Sequence, residues 1–189
     1  RFIGEGATFY GYTFQYCMMG PGMAGLGSHP YGPEIGGDGS IHHNVWNNTQ
    51  SRSPEVDCVH IDWRNNLMYN LRSGHSRRPW SRFNFINSCV IESRTSPYGY
   101  SLSITANVFA DGNLHETSAG LRTFDTRPSD YLKSPYRTMP VTTRKAAELE
   151  PLLLPVAGAF LPVRDAVDRH TVEGIRARTG KIPYWTSPT

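Results

Sequence analysis

Arg52 stands two residues before Pro54, and a little upstream His42 and His43 lie side by side before Asn44. Arginine offers a planar fork of donors that suits carboxylates and phosphates. Paired histidines suggest metal ligands at first sight. Neighbouring residues of a strand point to opposite faces, however, so the two are not expected to share one ion. One should pack inside the fold and the other lie near a groove, and no metal ligand is assigned. Further side chains recur at matching places: Gln50, Arg72 and Arg94 each lie six residues past Asn44, Asn66 and Ser88. Cys17, Cys58 and Cys89 have neither C-x-x-C nor zinc spacing and read as small buried hydrophobes. Asn47 opens an N-x-T triplet, a glycosylation acceptor pattern.

The elements that would position these residues show up as a repeat. The runs "SIHHNVW", "DWRNNLMY", "NFINSCVI" and "SITANVFA" place Asn44, Asn66, Ser88 and Asn107 before an apolar residue, at spacings of 22, 22 and 19. Cys17 in "TFQYCMM" offers the same point earlier in the chain. A period near 22, built from runs rich in Val, Ile, Phe, Trp and Tyr, points to a solenoid of strands. Helical solenoids have longer periods, and the leucine-rich pattern is missing. The expected fold is all-β, a right-handed parallel β-helix with a short helical C-terminal tail. An antiparallel sandwich with chance spacing is the competing arrangement. In the β-helix, Asn44, Asn66, Ser88 and Asn107 form a ladder at a tight bend, where an asparagine amide bonds its counterparts above and below and tolerates turn conformations.

Residues 1–115 are read as coils, 116–142 as an extended strap over the stack, and 143–189 as a helical tail. The tail starts with a short helix from about Thr143, interrupted at Pro151. A better helix follows Asp165 as N-cap, with Val167, Thr171, Val172 and Ile175 on one face and Gly180 after its end. The first coil begins almost at once, with no helix to cap it, so the chain is expected to be the C-terminal portion of a larger solenoid. A cleaved N-terminal half, or a second chain, would supply the missing coils. The chain has 189 residues, 38% of them hydrophobic, which suits one domain with a real core. Its formal charge of +3 is too small to argue for nucleic acid, and no apolar run approaches a membrane span.

Taken together, the coils, the tail and the histidine–arginine stretch resemble the pectate lyase family (polysaccharide lyase family 1). That family carries H-H-N, an apolar and an aromatic residue, a short gap, then an arginine two residues before a proline. The match is His42, His43, Asn44, Val45, Trp46, then Arg52 and Pro54. "VHIDWRNNLMYN" looks like the family's next coil, and "GAFLPVRDAVDRHTVEGIRARTGKIP" looks like the tail of many secreted members. The resemblance implies a secreted, extracellular or periplasmic enzyme that cleaves 4-linked galacturonan (pectate, pectin) by β-elimination. The family's base is an arginine, matched by Arg52, and calcium assists by bridging carboxylates and uronate. The family's calcium ligands lie on earlier coils, so they are expected mainly outside this chain.

Two departures accompany the resemblance. Asp57 stands where many members have a substrate-binding arginine, and Tyr31 in "HPYG" replaces the lysine of an H-x-K-G motif next to His29. His29 and Tyr31 are still read as substrate contacts, joined by Arg72, Arg77, Arg94 and Trp80. Arg78 and Arg82 lie in the same loop as Trp80, and together these make a basic, aromatic-edged stripe suited to a polyuronate. Alternatives of other kinds stay open: a lyase for esterified pectin or another uronate, and a glycan-binding or structural β-helix without chemistry.

Overall fold

The computed structural model describes residues 10–22, 30–76, 81–96, 99–103, 107–124 and 132–182. The chain winds upward in successive coils: β1 (Tyr10–Gln15) and β2 (Met18–Met19); β3 (Glu34–His42) and β4 (Val45–Thr49); β5 (Glu55–Arg64) and β6 (Leu67–Leu71); β7 (Ser73–Ser76), β8 (Arg82–Ile86) and β9 (Cys89–Ile91); β10 (Ser101–Ser103), β11 (Asn107–Asp111) and β12 (Leu114–Thr117). Strands of successive coils pair in parallel, which makes a β-solenoid of about three turns. An antiparallel strand, β13 (Gly120–Thr123), closes the last coil against β12.

Three sheets run up the stack. β3 and β5 are long because each crosses from the first sheet into the second, with a register shift at Gly37/Asp38. Residues 34–37 and 55–58 belong to the first sheet with β7 and β10. Residues 38–42 and 60–64 belong to the second with β1, β8 and β11. The third sheet is β2, β4, β6, β9, β12 and β13. Alternate residues of the second sheet turn inward, and Ile61, Trp63, Phe83, Phe85 and Val108 fill the interior with Trp46, Met68 and Val90 of the third.

The bend between the second and third sheets takes two residues in every coil. The first is left-handed: Tyr16, His43, Asn65, Asn87 and Gly112 have φ of 53°, 57°, 52°, 45° and 65°. The second is the ladder residue. Asn44 Nδ2 donates to Asn66 Oδ1 at 3.1 Å, Asn66 N to Ser88 Oγ at 3.2 Å, and Ser88 N to Asn113 Oδ1 at 2.8 Å. At the lower end Cys17 N donates to Asn44 Oδ1 at 2.9 Å. The fourth rung is therefore Asn113 and not Asn107, which sits at the head of β11 opposite Arg82. Ser88 and Asn113 lie 25 residues apart, against 22 for the earlier rungs, so counting to the next asparagine before an apolar residue lands one sheet too early.

The bend also revises the reading of the histidine pair. Strand alternation ends at His42, and the left-handed backbone of His43 swings its ring back, so that the two Nδ1 atoms lie 2.9 Å apart. Both residues are buried. Burial, then the neighbouring His42, then Arg144 lower the His43 pKa from 6.5 to about 4, and burial lowers that of His42 as well. Asn47 is fully buried, and its amide donates to Met19 O at 3.0 Å, so the folded chain does not present it for glycosylation.

The tail packs on the outer face of the third sheet. A 3₁₀ turn at Ala146–Glu148 leads into α1 (Leu149–Leu153), and α2 spans Ala166–Ala177. Pro151 does not break α1, because it lies in the first turn, where no intrahelical N–H is required. Asp165 caps α2 by accepting from Asp168 N at 2.8 Å. Thr171, Val172 and Ile175 are buried as expected, but Val167 is 64% exposed. Leu149, Leu153, Val172 and Ile175 cover Val45, Leu67, Tyr69, Cys89 and Ile91. Arg178, itself left-handed at φ 60°, ends α2 and bonds both carboxylates of Glu116 and Glu150, at 2.7 to 3.0 Å. The strap is extended from 132 to 145: Asn84 bonds the backbone of Tyr136, and Asn65 that of Arg144. No helix among the described residues is long and apolar enough to cross a membrane.

Two predictions follow from the bend. Asn66→Ala strands the Ile41 carbonyl, the Trp46 indole N–H and the Asn44 backbone N–H, each a buried partner of the Asn66 amide. At about 1–3 kcal/mol per unsatisfied group, a loss above about 3 kcal/mol is expected in denaturant unfolding, whereas Asn107→Ala should cost less than about 1 kcal/mol. Equal costs would mean that the ladder runs through Asn107 after all. For His43, the unfolded chain takes up a proton near pH 6.5 and the folded chain only near 4. The stability it confers is therefore intact above about 6.5 and lost progressively as pH falls toward 4. His43→Asn, which copies Asn65 and Asn87, should fold and flatten that slope by up to ~1.4 kcal/mol per pH unit, measured by urea titration between pH 7.5 and 4.

Candidate functional site

Arg52 lies in the turn from the third sheet of one coil into the first sheet of the next. Its backbone is left-handed, φ 57°, which bends the chain sharply ahead of β5. The coils on either side close in on this turn. A Cβ at residue 32 would collide with the Arg52 carbonyl, and one at residue 74 would press on the Ser53 carbonyl, so Gly32 and Gly74 are what admit it. Tyr100, a buried residue, donates from its hydroxyl to the Ser53 carbonyl at 2.8 Å and holds the turn from within. Burial pushes the Tyr100 phenol up, so it stays a donor.

The side chain of Arg52 is fixed on three sides. Nε lies 2.7 Å from Glu55 Oε2, Nη1 lies 3.3 Å from Glu34 Oε2, and the guanidinium carbon sits 4.8 Å from the centre of the Tyr31 ring. Nη2 has no partner among the described residues. Glu34 and Glu55 are partners in register on adjacent strands, and His75 follows Glu55 on the next. His75 Nε2 is 3.7 Å from Glu55 Oε2. Glu55 is 1% exposed, while the Arg52 side chain retains 30% exposure, so the carboxylate is the buried anchor and the guanidinium the part that a ligand can reach. Asp57 lies on the same sheet, opposite Gly36.

The expected site residues divide accordingly. Arg52 and Tyr31 come together, and Tyr31 bridges to Ser51 beside them. Arg72 is exposed one coil on, next to Ser73, whose hydroxyl reaches that of Ser51 at 3.5 Å. Arg94 is exposed too, but its backbone N–H goes to Arg178 O of the tail, and its charge helps to hold the Glu116 pKa down, after the direct bond from Arg178. It thus belongs to the tail junction more than to the Arg52 stripe. Arg82 also leaves the stripe, for the second sheet, where it lies over Tyr136. His29, Arg77, Arg78 and Trp80 lie outside the described residues. Asn44, Asn66 and Ser88 take the structural ladder role and Asn107 does not.

Glu34, Glu55 and His75 are the residues that motif reading passed over. The available signal was spacing, since Glu34 and Glu55 lie 21 residues apart, close to one coil. No group of three or more His, Cys, Asp or Glu among the described residues is arranged to hold a metal ion. The arrangement is a partly exposed cation on a carboxylate base with an aromatic beside it, suited to an anionic or hydroxylated ligand.

No family model matches this sequence, and no curated protein matches it either; what is established is the parallel β-solenoid, an architecture compatible with lyases, hydrolases and structural proteins alike.

Proposed function

We propose that the first-sheet face binds an acidic polysaccharide and cleaves it by β-elimination, as a pectate lyase-like enzyme acting outside the cytoplasm on 4-linked galacturonan. The observation that carries this reading is the coincidence of two independent facts. The arginine of the H-H-N…R-x-P stretch is also the arginine of the turn with a partly exposed guanidinium, an aromatic ring beside it and one nitrogen left for a ligand. In the reaction, the base takes the C5 proton, the C5–H electron pair becomes the C4–C5 double bond, and O4 leaves with the C4–O bond pair. Arg52 would act from Nη2, with Nε and Nη1 fixing the plane of the group on Glu55 and Glu34. Only a neutral guanidine can accept a proton, and a free guanidinium keeps its own below about pH 12, so activity is expected to rise toward alkaline pH.

Calcium enters this proposal through the resemblance alone. The described residues do not form a cage for it, and Glu34 and Glu55 are already engaged by Arg52. The steps above therefore involve only this chain's side chains.

A second reading has an observation of its own. Nη1 donates to Glu34, Nε lies against Glu55, and Asp57 adds another acid to the sheet, an arrangement that suits a non-catalytic face holding a glycan through hydrogen bonds. Ultraviolet absorbance of unsaturated products separates the two. Polygalacturonate and methyl-esterified pectin are each incubated with the protein at neutral and alkaline pH, with calcium and with chelator. The lyase reading expects product, lost by about 10²-fold or more in Arg52→Ala, while Arg72→Ala raises KM with kcat retained. Arg52→Lys, which keeps a cation over Glu55, controls for folding. Turnover by Arg52→Ala equal to the parent refutes the assignment, and saturable polymer binding without product selects the second reading.

A further inference from the structure

A second cleft lies on a different face of the coil. On the second sheet Asp38, His60, Arg82 and Asn107 stack outward in register, and beside them stand Ser40, Asp62 and Asn84. The strap crosses this face. Asn84 takes both the N–H and the carbonyl of Tyr136, and the Tyr136 ring packs edge-on to His60, 5.8 Å between centroids. Between the strap and edge strand β1 an open cleft of about 410 Å³ remains, within the range of small-molecule sites. Its floor is β1 and β3, and Arg137, Thr138 and Met139 of the strap form its other side.

The polar groups of this cleft are incompletely used. Ser40 is 8% exposed, lines the cleft, and its hydroxyl has no hydrogen-bond partner among the described residues. Leaving such a group unpaired is unfavourable, so a ligand that pairs it gains over one that does not. Asp38 accepts from His60 Nδ1 at 3.1 Å through one oxygen, and its other oxygen has no partner among the described residues. The imidazole is oriented by Arg82, which donates to Nε2 at 3.0 Å, so Nδ1 carries the proton. Arg137 makes no ion pair among the described residues. The Tyr12 ring lies against the inner side of Gly39, where any Cβ would collide with it, and packs on the interior, with its hydroxyl tied to Gly36 O at 3.0 Å. An acceptor carboxylate, a buried hydroxyl and a cation thus converge on one space.

We propose that this cleft binds a sugar acid, a single pyranose ring bearing one carboxylate. The carboxylate meets Arg137, and ring hydroxyls meet Asp38 and Ser40. This site is separate from the Arg52 face and does not depend on elimination there. The test is calorimetric titration of the whole chain with D-galacturonate, and with D-galactose as the same ring without the carboxylate. Saturable galacturonate binding is expected, at least tenfold tighter than galactose. Arg137→Ala and Asp38→Asn should each weaken it at least tenfold, in the parent and in an Arg52→Ala background alike. Arg137 is exposed and can be replaced without loss of fold. Absence of saturable binding overturns the proposal, as does equal binding of galactose. Binding that falls with Arg52→Ala but not with Arg137→Ala also overturns it, by assigning the sugar to the other face and leaving the proposed function standing.

Discussion

Each coil passes from its second to its third sheet through one left-handed residue and one ladder residue, and the remaining geometry is set from there. Because Asn44, Asn66, Ser88 and Asn113 bond one another along the stack, successive coils cannot slip past each other without breaking buried hydrogen bonds. A register error of one residue would also turn Ile61, Trp63, Phe83 and Phe85 outward, since strand side chains alternate. A second pair repeats the device at the far end of the third sheet: Asn48 and Asn70 are both left-handed, with Asn70 Nδ2 donating to Asn48 Oδ1 at 2.7 Å. With both ends of this sheet fixed, the turns beyond it, including the one that carries Arg52, are held in register as well.

The three faces of the stack have different fates. The outer face of the third sheet is apolar and lies under α1 and α2, with the Arg178–Glu116–Glu150 contact fastening the tail to β12. Buried and partly buried ion pairs of this kind lose most when one partner is removed, which makes the contact a device for specifying where the tail sits. The second sheet is crossed by the strap through Asn84 and Asn65. The described hydrogen bonds of the tail thus go to the second and third sheets and to the turns that follow them. The first-sheet face carries a charged row, Glu34, Glu55 and His75, crossed by Arg52.

Much of this was legible before any coordinates. The period of 22, the preference for strand formers and the recurrent asparagine point to stacked parallel coils, and the N-cap at Asp165 follows from local chemistry alone. The misses share a cause, which is that sequence patterns are local and a solenoid is not. Asn107 copies the ladder motif but follows a lengthened coil, so only pairing with β8 reveals its true row. His42 and His43 obey alternation only while both are on a strand, and the bend between them is set by the stack. Val167 fits the apolar stripe of α2 but lies in the first turn, ahead of the buried stretch Thr171–Ile175. Glu34 and Glu55 belong to no motif, and only the pairing of β3 with β5 puts them side by side under one guanidinium.

What Arg52 can do depends on which nitrogen a ligand meets. Nη1 donates to Glu34 and Nε lies 2.7 Å from Glu55 Oε2, so the side chain cannot swing toward a ligand without breaking a contact to a carboxylate. A sugar carboxylate arriving at Nη2 would be a third acid on one cation, whereas a hydroxyl would face no such competition. A carbon-bound proton would be accepted only by a nitrogen that has already lost its own. Binding and elimination therefore make opposite demands on the same atom, the first for a charged donor and the second for a neutral acceptor. Two carboxylates that hold the group still for the first task work against the second, and a face that performs both must separate them by pH or by charge brought in with the substrate.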